Sequence, residues 1–289
     1  MKKILTTVTF LALTALLSSC AGPMTETMTP AQLGFKTRAS EDLLNLPKPK
    51  GKVIIAVYKF SDQTGQYKPH PTSTSFSTSV TQGATSMLLE ALKKSDWFIP
   101  VEREGLNNLL TERKIIMAKL KAEGMENALP KLLHAPVLLE GGIISYEHNV
   151  STGGLGAAHL GISGSTQYQK DQVGIYLRAV DVQRGDVLLA VSTTKSILSF
   201  EVRFGYFKFI EIDEIAEGEA GYTRNEPPQL CVLEAMEKAV MSMIIEGILE
   251  RKWELENPED IRHPVIQKYL EEKGIEAPET IYNQYLAGA

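Results

Sequence analysis

The sequence predicts an α/β domain plus two transmembrane β-hairpins per subunit, pooled between copies into one large oligomeric β-barrel. Three observations lead there. Strand and helix signals alternate up to Ser145 and return in a last helix from about Pro228 to Trp253. Between Tyr146 and Thr223 the helical period vanishes and alternation of period about two replaces it. The chain also opens on an export signal that ends at a cysteine.

Composition narrows the classes. The chain has 289 residues, 43% hydrophobic and 22% charged, with a formal net charge of −5, which excludes disorder, collagen-like repeats and coiled coil. Mild acidity without an arginine-lysine stripe argues against nucleic acid as a partner. Two cysteines exclude a disulfide scaffold and a four-cysteine metal site. A mean hydropathy of −0.09 excludes a bundle of spanning helices. It does not exclude membrane strands, because half of each such strand is polar and averages the value away.

Lys2 and Lys3 precede an apolar run from Ile4 to Leu17, too short for a spanning helix, so residues 1–19 read as a signal peptide. Leu17-Ser18-Ser19-Cys20 matches the lipobox, which places cleavage before Cys20 and lipid on it. Ala21 in place of Asp favours the outer membrane of a Gram-negative bacterium, with the folded domain in the periplasm. The diacylglycerol and N-acyl chains on Cys20 would be its only added groups, and several acyl chains anchor firmly. Residues 20–50, rich in Thr, Pro and Lys, read as an extended arm.

Residues 51–148 read as the periplasmic α/β domain. Val53 to Phe60 is a buried strand, and 61–79 a long polar loop. Val80, Ala84, Met87, Leu88, Ala91 and Leu92 mark an amphipathic helix ending near Asp96. Phe98 to Val101 is a short strand. Leu106, Leu109, Leu110, Met117 and Leu120 mark a second helix with a basic outer face. Pro130 opens a brief helix through His134, and Val137 to Ser145 is a strand.

Then the pattern changes. Val150–Gln169 holds five glycines, no proline and no formal charge apart from His159. Ile162, Gly164, Thr166 and Tyr168 alternate with Ser163, Ser165, Gln167 and Gln169. Phe200, Val202, Phe204 and Tyr206 alternate with Ser199, Glu201, Arg203 and Gly205; beyond a loop near Lys208–Asp213, Ala216, Gly218, Ala220 and Tyr222 alternate with Glu217, Glu219 and Gly221. One face is apolar with aromatic ends and the other polar, as in strands between lipid and a watery lumen. Ile162, Tyr168, Phe200, Val202, Phe204, Tyr206 and Tyr222 would face lipid; Ser165, Gln167, Gln169, Glu201, Arg203, Glu217 and Glu219 would face the lumen. The strand pattern from Thr166 to Val182 and from Val187 to Tyr206 far exceeds the usual five or so residues.

Hairpins are therefore expected at 149–171 and 194–223, with periplasmic strands at 172–193 joined by the turn Gln183-Arg184-Gly185-Asp186. Four strands cannot close a barrel and open edges are not tolerated in lipid, so the protein must pool hairpins as a homo-oligomeric ring. A periplasmic helix at 224–256, with Cys231 as a buried thiol, and a peripheral tail at 257–289, helical near Val265–Lys273, complete the chain.

Several stretches resemble one family, the curli production and secretion lipoproteins of Gram-negative bacteria (the CsgG family). They are Asp62-Gln-Thr-Gly-Gln-Tyr-Lys-Pro69, Trp97-Phe-Ile-Pro-Val-Glu-Arg103, Asn107-Asn-Leu-Leu-Thr-Glu-Arg-Lys-Ile-Ile116, Thr166-Gln-Tyr-Gln-Lys-Asp-Gln172 and Gly218-Glu-Ala-Gly-Tyr-Thr-Arg-Asn-Glu-Pro227. The resemblance covers Cys20 to about Trp253 and weakens over Lys121–Lys131 and the tail. It implies a lipidated outer-membrane ring of about nine subunits with a periplasmic vestibule. Unfolded curli-like amyloid subunits would pass by diffusion without nucleotide hydrolysis. A periplasmic accessory protein would cap the vestibule and a surface factor couple the pore to fibre assembly. The family's constriction loop carries a tyrosine, then an asparagine-phenylalanine pair. Here it is Lys68-Pro-His-Pro-Thr-Ser-Thr-Ser-Phe76: Phe76 matches, His70 stands at the tyrosine, Ser75 replaces the asparagine, and one residue is inserted. A ring of His70 would charge at roughly pH 6 to 7.

Rival classes are weaker. Gly154-Leu-Gly156-Ala-Ala-His159 lacks the third glycine of a dinucleotide fingerprint and no helix follows it. His70, His134, His148, His159 and His263 have no metal-ligand spacing. Glu201, Glu217 and Glu219 alternate as lumen charges rather than pair as an acid and a base. No catalysis is expected. The alternative is a periplasmic lipoprotein without a pore that binds or activates an envelope partner, which leaves the two long alternating segments unexplained.

Overall fold

The computed structural model describes residues 33–34, 36–65, 80–125, 128–159, 162–211, 214–225, 228–275 and 278–288. One six-stranded sheet organises the unit Lys36–Ala289. Its strands are β1 (Val53–Asp62), β2 (Phe98–Val101), β3 (Val137–His159), β4 (Ile162–Asp181), β5 (Val187–Glu211) and β6 (Glu214–Asn225), in the order β2-β1-β3-β4-β5-β6. β2, β1 and β3 are parallel; β3 to β6 pair antiparallel. The helices are α1 (Arg38–Leu44), α2 (Ala84–Lys94), α3 (Leu106–Ala122), α4 (Pro228–Leu249), α5 (Pro264–Glu272) and α6 (Pro278–Leu286), with a 3₁₀ turn at Pro258–Arg262.

One face of the sheet is covered. Ile55, Val57 and Phe60 of β1, Leu139 and Ile143 of β3, Val173, Ile175 and Leu177 of β4, and Leu189 and Val191 of β5 form a continuous core with α2 and α4. Helix α4 is apolar almost all round because it is buried on nearly every side, between β4–β5 and the helices α1 and α2. Cys231 is buried there, as its apolar helical setting suggests. Two glycines are dictated by close approach. At Gly141 the Phe60 ring and the Tyr176 carbonyl occupy the place of a Cβ, and at Gly247 the Trp253 indole does. Trp253 donates from Nε1 to the Ile244 carbonyl at 2.7 Å and meets Phe98 edge-on at 5.7 Å between centroids. Gly247→Ala is expected to expel that indole and cost about 1–3 kcal/mol, read as a lowered denaturation midpoint of the folded chain.

Four readings of the sequence are revised. The arm is docked from Lys36 onward: α1 buries Ala39 and Leu43, and Lys268 of α5 holds Asp42 at 2.6 Å. Residues 131–135 are not helical; Ala135 and Pro136 lead straight into β3, and Arg113 and Arg103 donate to the Pro130 and Leu133 carbonyls instead. β5 continues to Glu211 rather than ending at a loop from Lys208, because β6 pairs with it to the tip. The tail is not peripheral: Ile261, Ile266, Leu270, Tyr282 and Tyr285 join the core, and α6 is an added helix.

A carboxylate is buried where three helices meet. Glu237 of α4 is fully enclosed. The Thr37 hydroxyl, which caps α1 by accepting from the Ser40 N–H at 2.9 Å, donates to its Oε2, and Lys94 Nζ of α2 lies 3.9 Å from its Oε1. Burial raises its pKa above the ordinary carboxylate range, opposed by Thr37 and Lys94 and reinforced by Glu90 and Glu234. The folded state thus holds the proton more tightly than the unfolded chain. Its contribution is fully present in acid and lost as pH rises through the raised value. Glu237→Gln removes this titration, so its melting temperature relative to the wild type is expected to rise as pH increases from the ordinary carboxylate range through the raised value. A pH-independent difference would contradict the assignment.

Candidate functional site

The antiparallel half of the sheet is longer than the α/β domain can use. β3, β4 and β5 have 23, 20 and 25 residues, and the twelve-residue β6 pairs only with the far end of β5. The near end is fixed by the turn after β4. Asp181 Oδ1 accepts the N–H groups of Gln183 at 2.7 Å and Arg184 at 2.9 Å, and Gly185 takes a φ of 76°. Those two N–H groups hold the Asp181 carboxyl below its ordinary pKa. At the far end β3 stops at His159 and β5 at Glu211.

Register sorts the far half into cross-strand rows. One set reads Gly153–Tyr168–Phe200–Arg224, Leu155–Thr166–Val202–Tyr222, Ala157–Gly164–Phe204–Ala220 and His159–Ile162–Tyr206–Gly218. The alternating set reads Thr152–Gln169–Ser199–Asn225, Gly154–Gln167–Glu201–Thr223, Gly156–Ser165–Arg203–Gly221 and Ala158–Ser163–Gly205–Glu219, continued by Phe207–Glu217. Every residue expected to face lipid falls in the first set, and every residue expected to face a lumen in the second.

The rows connect to the domain without a break. The β4–β5 ladder holds one register from Ile162↔Tyr206 to Ala179↔Leu189. The polar rows therefore run down the same face as Val173, Ile175 and Leu177, which the helices cover. On β5 the same face carries Thr193, whose Oγ1 donates to the Ala235 carbonyl of α4 at 2.7 Å, and Lys195, 3.2 Å from Glu234. The helix layer and the polar rows share a side of the sheet. The apolar rows continue instead into the uncovered face, where Tyr58 and Ile144 are half exposed and Arg178 grips Glu140 at 2.6 Å and 3.2 Å.

The loop expected at 61–79 starts later on this frame, because Ser61 and Asp62 still belong to β1. β1 runs parallel to β3 and pairs with it up to Asp62↔Ile143, so the loop leaves the sheet where β3 starts its long extension. It returns into α2, in the helix layer. Its two stems are clasped: Asp62 Oδ1 accepts from Thr64 N at 2.8 Å and Oγ1 at 2.7 Å, and Asp62 Oδ2 accepts from Gln82 Nε2 at 3.5 Å. Gln63 N donates to Ile143 O at 2.9 Å. The Asp62-Gln63-Thr64 signature of a side-chain turn is visible in sequence; its tie to Gln82 is not. His70, Ser75 and Phe76 lie outside the described residues, as does Cys20.

Open edges remain. Beyond Ile143 the outer side of β3 has no partner strand among the described residues, and neither has the outer side of β6. Helix α3, read as amphipathic, buries no residue, and Leu110, Ile115, Ile116 and Met117 stay exposed. Among the described residues no helix is long and apolar enough to cross a membrane, and no cluster of His, Cys, Asp and Glu could hold a metal.

Comparison with known proteins gives one family. The family model of the curli production assembly/transport component CsgG matches residues 36–273. Curli production assembly/transport component CsgG of Salmonella typhimurium is 46% identical over 260 residues, covering 89% of this chain and 94% of that one. The Escherichia coli K12 protein of the same name is 46% identical over 259 residues, covering 88% and 93%. Among solved structures the PelC dodecamer from Paraburkholderia phytofirmans aligns at TM-score 0.26 and 11% identity over 67% of this chain and 88% of that one, too weak a likeness to bear on the fold. With most of the domain, both hairpins and α4 inside the matched region, the chain belongs to the CsgG family.

Proposed function

We propose that this chain is the subunit of an outer-membrane ring that exports unfolded curli-type amyloid subunits. The observation that carries the reading is the four-stranded extension with one apolar and one polar set of rows and an open edge on each side. In hydrocarbon each unpaired backbone group costs several kcal/mol. An edge of β6 against the β3 edge of the next copy removes that cost only when the ring closes. The apolar rows then meet lipid and the polar rows line the lumen, with about nine copies as the family resemblance implies.

The shared face supports the placement of the constriction. The helix layer and the polar rows lie on one side, and the chain leaves β1 at Asp62 and returns into α2 in that layer, so a constriction loop between them would lie on the lumen side at the barrel's base. His70, Ser75 and Phe76 of each copy would form stacked rings there. An extended chain would slide past by exchanging weak contacts with them, and folded proteins would be held back. Transport is diffusive, without nucleotide hydrolysis. The acyl chains on Cys20 hold the ring in the outer membrane, a periplasmic accessory protein caps the vestibule, and a surface factor receives the cargo.

The test is export. The full chain, produced in a Gram-negative strain deleted for its own channel, should restore secretion of the strain's curli subunit. It should run as an oligomer that dissociates slowly in SDS. A chain that stays monomeric in the periplasm and restores nothing would favour the pore-free lipoprotein.

A further inference from the structure

Helix α3 and a groove beside β5 lie at opposite edges of the sheet and at the same height. A single cross-sheet row, Val101–Ala56–Leu138–Val180–Val187, joins the end of β2 to the start of β5. Helix α3 begins at Leu106, just after that end of β2, and the groove begins at Leu189, just after that start of β5. A ring of identical copies needs a head-to-tail contact between two different patches on opposite sides of the subunit. These two patches have that arrangement.

The groove is a cavity of about 480 Å³ between β5, α4 and α5. Leu189 and Val191 close its floor, and exposed Ala190 and Ser192 lie along its strand side. This stretch of β5 is an edge, since β6 pairs only from Ser199 onward. At its wall Lys238 is paired with Glu272, and Lys273 with Glu246 at 2.6 Å, while Tyr269 donates to Glu246 at 2.5 Å. Glu250 has no ion pair among the described residues, so the wall is net acidic. Helix α3 is the complement: Arg113, Lys114, Lys119 and Lys121 against Glu112, with an apolar stretch at Ile115, Ile116 and Met117 left in solvent. Bonds from Arg113 and Arg103 to the Pro130 and Leu133 carbonyls brace it against its own connecting loop. The edge strand β2 is unsuited to pairing directly with β5, because Pro100 removes a donor from its short ladder.

We propose that α3 of each copy docks in the β5–α4–α5 groove of the next copy, its Ile115–Met117 stretch on the strand edge and its lysines toward Glu250. The contact rests on the ring reading above. It gives the ring a second belt of subunit contacts in the periplasm, below the barrel.

The experiment uses the full lipidated chain carrying Ile115→Cys with Ser192→Cys, and each substitution alone, reconstituted in planar bilayers and treated with a short bis-maleimide. Conducting rings of the double variant should give a covalent ladder of multimers on denaturing gels, absent from both single variants. A second arm reverses charge: Lys119→Glu with Lys121→Glu should reduce the oligomer about tenfold, and adding Glu250→Lys should restore part of it. Conducting rings that stay monomeric on the gel, with charge reversal harmless, overturn the docking while leaving the pore. A wild-type chain that neither oligomerises nor conducts overturns the pore reading, and the docking with it.

Discussion

Val202→Arg is expected to abolish membrane insertion of the ring. Val202 sits in the apolar row Leu155–Thr166–Val202–Tyr222, two rows in from the His159–Ile162–Tyr206–Gly218 end. An arginine on the lipid face near mid-bilayer costs about 2–4 kcal/mol, and a symmetric ring bears that cost once in every copy. The partner experiment is Arg203→Glu, one residue along β5 and in the alternating row with Ser165 and Gly221. It should leave the oligomer intact and shift ion selectivity toward cations. The two variants lie one strand position apart, so they probe nearly the same depth and differ in which set of rows they change. Equal loss in both, scored as SDS-slow oligomer and conductance in planar bilayers, would contradict the row assignment.

The second large effect is expected at the constriction. A narrow ring dominates the resistance of a wide pore, so Phe76→Ala should raise single-channel conductance on the order of twofold. On the proposed reading, a ring of His70 would add a dependence that a tyrosine ring lacks. As pH falls from about 8 to 5 the imidazoles gain charge, so conductance should become less cation-selective through that window. His70→Tyr should remove the change while leaving the pore open. A wild-type conductance flat across the window would separate His70 from the constriction. The clasp of Asp62 on Thr64 and Gln82 ties together the two ends from which the proposed constriction loop departs.

Elements whose signal is local are legible in the sequence. β2 is readable as Phe98–Val101 because Trp97 and Phe98 bury where Asp96, at a φ of 61°, breaks the preceding helix. The two sets of rows are legible because period-two alternation survives any choice of partner strand. What cannot be read depends on contacts distant in sequence. Helix α1 resembles arm in sequence because its stability comes from Thr37 on Glu237 and Asp42 on Lys268, with sequence separations of 200 and 226. Helix α6 packs Ile281, Tyr282, Tyr285 and Leu286 on the core, but nine residues with four apolar positions are too short a stretch to stand out in a charged tail. Helix α3 gives the opposite error: its apolar positions promise a packed face, and the single chain offers them nothing. That mismatch, like the edges of β3 and β6 that have no partner strand among the described residues, is what the proposed ring of identical copies would produce.

Closure of the ring is the claim on which the rest depends. Electron microscopy of the detergent-solubilised full chain tests it most directly. A closed ring of about nine identical subunits is expected, with a through-pore at the centre and a wider periplasmic vestibule below. A monodisperse monomer, or a small open oligomer with no central channel, would contradict it.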